Sequence, residues 1–283
     1  MKNIKSFLLM LCLVLLFVYV GHLFAGSSGV KVALLVSLLL NFYSYYFSDI
    51  LVLKHYSAKE VNATSNPKLY NVVKRLTQKA NLPMPKVYVI PDDVPNAFAT
   101  GRNPKHAAVA ATKGLLDMLD DNEIEGVIAH ELSHIKHYDI LTGSIAAIFA
   151  SAIAIISNMA KYNIEPRRNK SDNRSNNVLA VVAIILMPIA ATIIRLSVSR
   201  TREFEADEGA ARLTGKAQSL ASALNKLEQY AQGKKLNKVT KETAHLFIVS
   251  PFSENKAEFS SLFSTHPSTK ERIQRLNALA KRI

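Results

Sequence analysis

His130, Glu131 and His134, in the stretch HELSHIKHYD at 130–139, are the residues of this chain best suited to chemistry. On an α-helix the two histidines stand one turn apart and about 40° around the axis, so both rings can reach one metal ion. Glu131, beside them, can take a proton from metal-bound water. The donor types suit zinc, and the combination suits hydrolysis. His137 could offer a third imidazole, but it lies about 10.5 Å along the axis from His130. A zinc bonded to His130 and His134 at roughly 2.0–2.1 Å does not reach a ring a further turn along. No glycine turn brings the chain back, as it does where a later histidine completes such a site. The third ligand therefore comes from a distant segment.

The stretch SRTREFEADEGAARL at 199–213 offers it. Glu203 and Asp207 are one helical turn apart, so one can bind the metal while the other supports a ligand histidine from behind. Spacing alone leaves open which does which. Glu205 points to another face, and Glu208 is a weaker rival. Taken alone, the stretch also reads as a solvated charged face.

The elements that must position these residues are legible in part. Asp120 with Glu123 three residues on forms a capping box that opens the motif helix. Val127, Ile128, Leu132 and Ile135 interleave with the motif, so that helix packs within a domain. Before it, residues 66–80 carry Leu69, Val72, Val73 and Leu76 on one helical stripe. Residues 86–90 and 107–112 read as strands, with a turn at Gly101-Arg102-Asn103-Pro104. After the motif, residues 202–213 and 216–232 read as helices, the latter with Leu220, Leu224 and Leu227 on one face. A lysine-rich linker at 233–240 follows. Ser268 and Glu271 form another capping box, opening a terminal helix with Ile273, Leu276 and Leu279. There are no internal repeats.

Four stretches are almost free of charge: 6–25, 32–48, 140–160 and 178–194, the last interrupted by Pro188. Each approaches the roughly 20 apolar residues that cross a bilayer. The first lacks a small-residue cleavage site and is followed closely by the second, so the pair reads as a membrane hairpin rather than a signal peptide. Lys2, Lys5, Lys54 and Lys59 flank the hairpin on one side and only Lys31 on the other, which directs both ends to the cytoplasm. The loop at 161–177, with Lys161, Arg167, Arg168, Lys170 and Arg174, disagrees; a shallow second pair, or two buried core helices, would remove the conflict. The net charge of +13 comes without a basic–aromatic patch or nucleic-acid fingerprint, which excludes nucleic acid as a partner and favours anionic lipid headgroups. The single cysteine, Cys12, lies in the first apolar stretch, so there is no internal disulfide and no thiol catalysis.

HELSH, REFEAD, PNAFATGRNP…AVAATKGLL and THPSTKERIQRL together resemble the HtpX family of membrane zinc metalloproteases, and more distantly the CAAX prenyl proteases, over nearly the whole chain. The resemblance implies that Glu203 is the third zinc ligand, with Asp207 its supporting partner. It implies a stress-responsive proteolytic role in membrane-protein quality control. It makes the strand carrying Ala108, Val109, Ala110 and Ala111 the edge along which extended substrate pairs. It matches His266 and Arg272 to the family's HP…R pair, groups that could stabilise a developing oxyanion.

The expectation is an α-helical integral membrane protein with a zincin-like α+β metallopeptidase domain, mainly α with a small β-sheet. Residues 1–50 form the hairpin, 51–139 the first part of the catalytic domain, 140–198 the second hydrophobic pair, and 199–283 the second part of the catalytic domain. One Zn²⁺ per chain is held by His130, His134 and Glu203, with water in the fourth position and Glu131 as general base. Protein substrates, among them misfolded membrane proteins, and the lipid bilayer are the partners. The location is multi-pass in a bacterial inner membrane, with the catalytic domain facing the cytoplasm. Two alternatives stay in view. One is a membrane scaffold whose metal is structural, its site closed by His266 or His137. The other is a prenyl-protein endoprotease, for which four membrane segments are too few to enclose a chamber.

Overall fold

A computed structural model describes residues 4–146, 199–233, 248 and 267–283. The remainder of the second hydrophobic pair, the loop at 161–177, most of the linker at 233–240 and His266 lie outside the described residues.

The chain opens with α1, Ile4–His55, which is two helical arms joined at a break where Ala25 (φ −142°, ψ 22°) and Gly26 (φ 56°, ψ −135°) leave helical values. A left-handed φ costs glycine nothing sterically, which is why the reversal sits there. The arms fold back on each other: Asn41 Nδ2 lies 3.5 Å from the Met10 carbonyl, and a Cβ on Gly29 would overlap the carbonyl of Gly21. Ser37, Asn41, Ser44 and Ser48 are buried, whereas Phe7, Leu15, Leu35, Leu39 and Phe42 are exposed. Buried serines and an asparagine beside Leu9 and Leu13, with large apolar side chains outside, depart from the usual order of a water-soluble helix pair. Among the described residues one helix, Ala25–His55, is long and apolar enough to cross a membrane, with the shorter apolar helix Ser6–Tyr19 beside it. Helical residues at 140–146 join them, packing Leu141, Ile145 and Ala146 against Leu9 and Leu13.

The rest of the described chain is built from β1 (Lys59–Val61), α2 (Pro67–Ala80), β2 (Lys86–Ile90), β3 (Ala97–Asn103), β4 (His106–Thr112), α3 (Lys113–Met118), α4 (Asp121–His137), α5 (Arg200–Thr214), α6 (Ala217–Gly233) and α7 (Thr269–Ala280). The four strands order β1-β2-β4-β3. β4 runs parallel to β2 and antiparallel to β3, so both of its ladders are occupied. Ala108, Val109, Ala110 and Ala111 pair on one side with residues 86–89 and on the other with residues 97–100. They are interior, not the expected edge. The edge on that side of the sheet is β3, whose outer backbone groups β4 does not satisfy. The expected turn also shifts: Gly101–Asn103 belong to β3, with a register irregularity there, and the chain reverses at Pro104–Lys105.

α4 forms the centre of the domain, and its start is doubly capped. Asp120 Oδ1 accepts from the Asn122 and Glu123 amides, while Glu123 Oε2 accepts from the Asp120 amide at 2.9 Å. These bonds satisfy amides that no earlier turn can reach. Ile124, Val127, Ile128, Leu132 and Ile135 join one core with Leu69, Val73 and Leu76 of α2 and Leu220 and Leu224 of α6.

Two glycines let the neighbouring helices come close. A Cβ on Gly126 would stand 3.2 Å from Leu220, and one on Gly209 would stand 2.7 Å from the Ser133 hydroxyl. The second contact sets how near α5 lies to α4, and hence whether Glu203 can meet the two histidines. Gly209→Val should lower the unfolding free energy by about 1–3 kcal/mol through overpacking, with Gly209→Ala well below that because the Ser133 hydroxyl can turn aside. Thermal unfolding of the two variants reads the order; equal losses would mean the contact does not set the helix spacing.

Candidate metal centre

α4 presents His130 and His134 toward α5, which presents Glu203. The two Nε2 atoms stand 3.2 Å apart. Glu203 Oε2 is 3.6 Å from His130 Nε2, and Glu203 Oε1 is 3.6 Å from His134 Nε2. Tetrahedral bonds of about 2.0–2.1 Å place neighbouring donor atoms roughly 3.3–3.4 Å apart. The three side chains therefore fit a zinc-sized ion without rearrangement of the helices. Among the described residues they form the one group of three or more ligand side chains so gathered.

The outer nitrogens explain why the inner ones converge. His130 Nδ1 lies 3.0 Å from Asp207 Oδ1, and His134 Nδ1 lies 3.3 Å from Asp139 Oδ2. With the Nδ1 proton kept on the side of the carboxylate, the neutral form of each ring, which a metal requires, has its Nε2 lone pair turned inward. Each carboxylate is gripped in turn by an arginine. Arg272 donates through Nε and Nη2 to the two oxygens of Asp207 at 2.8 and 2.7 Å, and Arg202 Nη1 donates to Asp139 Oδ1 at 2.7 Å.

Charge follows this pattern. Burial pushes the His130 imidazole down, but the Asp207 and Glu203 carboxylates beside it outweigh that and hold it up at about 9. A metal entering the site must therefore displace a proton. Burial raises the Asp207 carboxyl, and the Arg272 guanidinium outweighs that to bring it down to about 2. Asp139 is likewise held below the usual carboxylate range, against its burial, by His134 and Arg202. Glu131 differs: burial raises it above that range, and the neighbouring histidines only partly counter the rise. Its Oε2 accepts from the Ala99 amide of β3 at 2.8 Å, so the carboxylate sits against the outer side of β3. A carboxylate of raised basicity beside a metal site and a strand edge can take a proton from water attacking a chain laid along that edge.

The structure brings together His130, Glu131, His134, Glu203, Asp207 and Arg272. It gives Arg272 a different setting from an oxyanion donor. The guanidinium is buried behind Asp207 and also donates to the Ile248 carbonyl at 2.7 Å, since a buried carboxylate requires a buried counter-charge. His137 is exposed on the last turn of α4. The sequence reading passed over Asp139, Arg202 and the Ala99 amide. Asp139 and Arg202 carried a signal, one five residues beyond His134 and the other adjacent to Glu203. The amide carried none.

Residues 63–280 match Peptidase family M48. The chain is 56% identical over 279 residues to a protein named Protease HtpX homolog in Campylobacter hominis, covering 99% of each. It is 50% identical over 280 residues to a protein of the same name in a Sulfurovum species, covering 99% of this chain and 100% of the relative. Among solved structures, that of S. mikatae Ste24p is similar with a TM-score of 0.53 at 17% identity, covering 97% of this chain and 65% of that one.

Proposed function

Because the chain belongs to peptidase family M48, and is thus a protease of a metallopeptidase family, we propose that it is a membrane-bound zinc endopeptidase. His130, His134 and Glu203 hold the ion, and Glu131 is the general base. The observation that carries this reading is the convergence of the three donor groups beside a buried carboxylate at the outer side of β3. Zinc, when bound, supplies a Lewis acid that lowers the pKa of water and polarises the scissile carbonyl.

The chain's own residues do the rest. An extended substrate lies along the outer side of β3, where the Ala99 amide already serves Glu131, which aligns one peptide bond near that carboxylate. Glu131 takes a proton from the attacking water and returns it to the departing amine, so the C–N bond breaks with no net change in the enzyme. The Ala99 amide keeps the Glu131 carboxylate aimed at that edge. Asp207 holds the ring of His130, and Arg272 holds Asp207.

The hairpin of α1, with its large apolar side chains outside, supports insertion in a bilayer, and its lysine-rich flanks favour a cytoplasmic catalytic domain. With relatives named HtpX homologs, we assign the protein to the bacterial inner membrane, with misfolded membrane proteins as its substrates. The test is digestion of casein by the purified full chain in detergent. Chelation should abolish cleavage, and about one equivalent of zinc per chain should restore it. Cleavage that persists in fully metal-free protein would end the proposal.

A further inference from the structure

We propose that Asp139, gripped by Arg202, is a positioning residue for His134, matching on the other ring what Asp207 and Arg272 do for His130; the inference rests on the metal site proposed above.

Both oxygens of Asp139 are engaged by side chains. Oδ2 faces His134 Nδ1 at 3.3 Å and Oδ1 accepts from Arg202 Nη1 at 2.7 Å. The backbone is bent to make this possible. α4 closes on Tyr138, a non-glycine residue in the left-handed region at φ 64°, ψ 24°. Its amide bonds to the Ile135 carbonyl at 3.2 Å and that of Asp139 to the His134 carbonyl at 3.0 Å, the paired bonds of a Schellman turn. Glycine would fill that position without strain, whereas tyrosine meets a steric cost. The turn brings the Asp139 carboxylate back over the outer edge of the ring one turn earlier.

The second support comes from α5. Arg202 and Glu203 are consecutive, so one turn of α5 delivers Glu203 to the inner face of the histidine pair and Arg202 to the carboxylate behind His134. Seating α5 thus aligns ligand and positioning group together. An imidazole whose Nδ1 proton is held by a carboxylate presents a more basic, fixed Nε2 to a metal. A bystander role is the alternative: Asp139 precedes the helical residues at 140–146 and could simply favour their start.

Zinc affinity separates the two. The full chain in detergent, stripped by chelator, is titrated with zinc against a chromophoric competitor, alongside circular dichroism and thermal midpoints of the metal-free forms. Asp139→Ala should bind zinc about 10–100-fold more weakly. Asp139→Asn keeps the volume and is as good a helix start as aspartate, so its own weakening, expected near tenfold, cannot arise from the helix that follows. Arg202→Ala should weaken binding less than Asp139→Ala, and Arg202→Lys should recover most of that loss by restoring the charge. Should Asp139→Ala not fold, the asparagine variant decides. Zinc binding by Asp139→Asn within about twofold of the unchanged protein overturns the inference while leaving the metal site standing. Failure of the unchanged chain to take up zinc overturns both.

Discussion

Glu131→Gln abolishes proteolysis while the protein still carries close to one zinc per chain: that is the result expected if this carboxylate is the base and not a ligand. Glutamine matches glutamate in shape and keeps an oxygen to accept the Ala99 amide, which lies 2.8 Å from Glu131 Oε2. The buried site should therefore stay folded. What disappears is the ability to take a proton. General bases contribute about 10²–10⁴-fold to rate, so the loss should reach the upper part of that range. Metal analysis and casein digestion on the same sample give the answer. Zinc lost together with activity would make Glu131 a ligand and undo the assignment of roles.

Glu203→Ala, by contrast, should lose both the zinc and the activity. Two histidines alone leave a tetrahedral ion half-held, and Glu203 is the carboxylate whose oxygens stand 3.6 Å from both Nε2 atoms. His137→Ala should keep the zinc, because its ring is exposed at the end of α4, away from the converging donors. Asp207→Ala should fall between them in affinity, about 10–100-fold down. It should also unfold more readily than either, since removing Asp207 leaves the buried Arg272 without its bidentate partner and with only the more distant Glu203, 3.9 Å away, beside it, at a cost of up to about 3–5 kcal/mol. Zinc titration of the three variants ranks them. Retention of metal by Glu203→Ala with its loss from His137→Ala would move the whole site into the ten residues of 130–139.

What the sequence by itself determined is whatever repeats within a helical turn. The i, i+4 spacing of His130 and His134, the pairing of Glu203 with Asp207, the capping box at Asp120 and the N-cap at Ser268, where only the serine half of the expected box forms, depend on neighbours a few residues away. So do the apolar stripes of α2, α4 and α6, and all were legible for that reason. The strands at 86–90 and 107–112 were legible too, as runs of small and branched side chains. Their order was not. Whether β4 is an edge or an interior strand depends on which segments pair with it, and β2 and β3 take both sides through contacts that no local pattern encodes. The three-residue β1 is too short to show a period of its own. The partner of each buried charge was likewise decided only in three dimensions. Arg272, 65 residues from Asp207, reads as a surface arginine until the fold buries the two together. Arg202 and Asp139, 63 residues apart, meet because Gly209 lets α5 lie close against α4. Local spacing names the groups that can bind a metal; the long-range packing of helices and strands decides which carboxylate stands behind each imidazole and which edge faces the substrate.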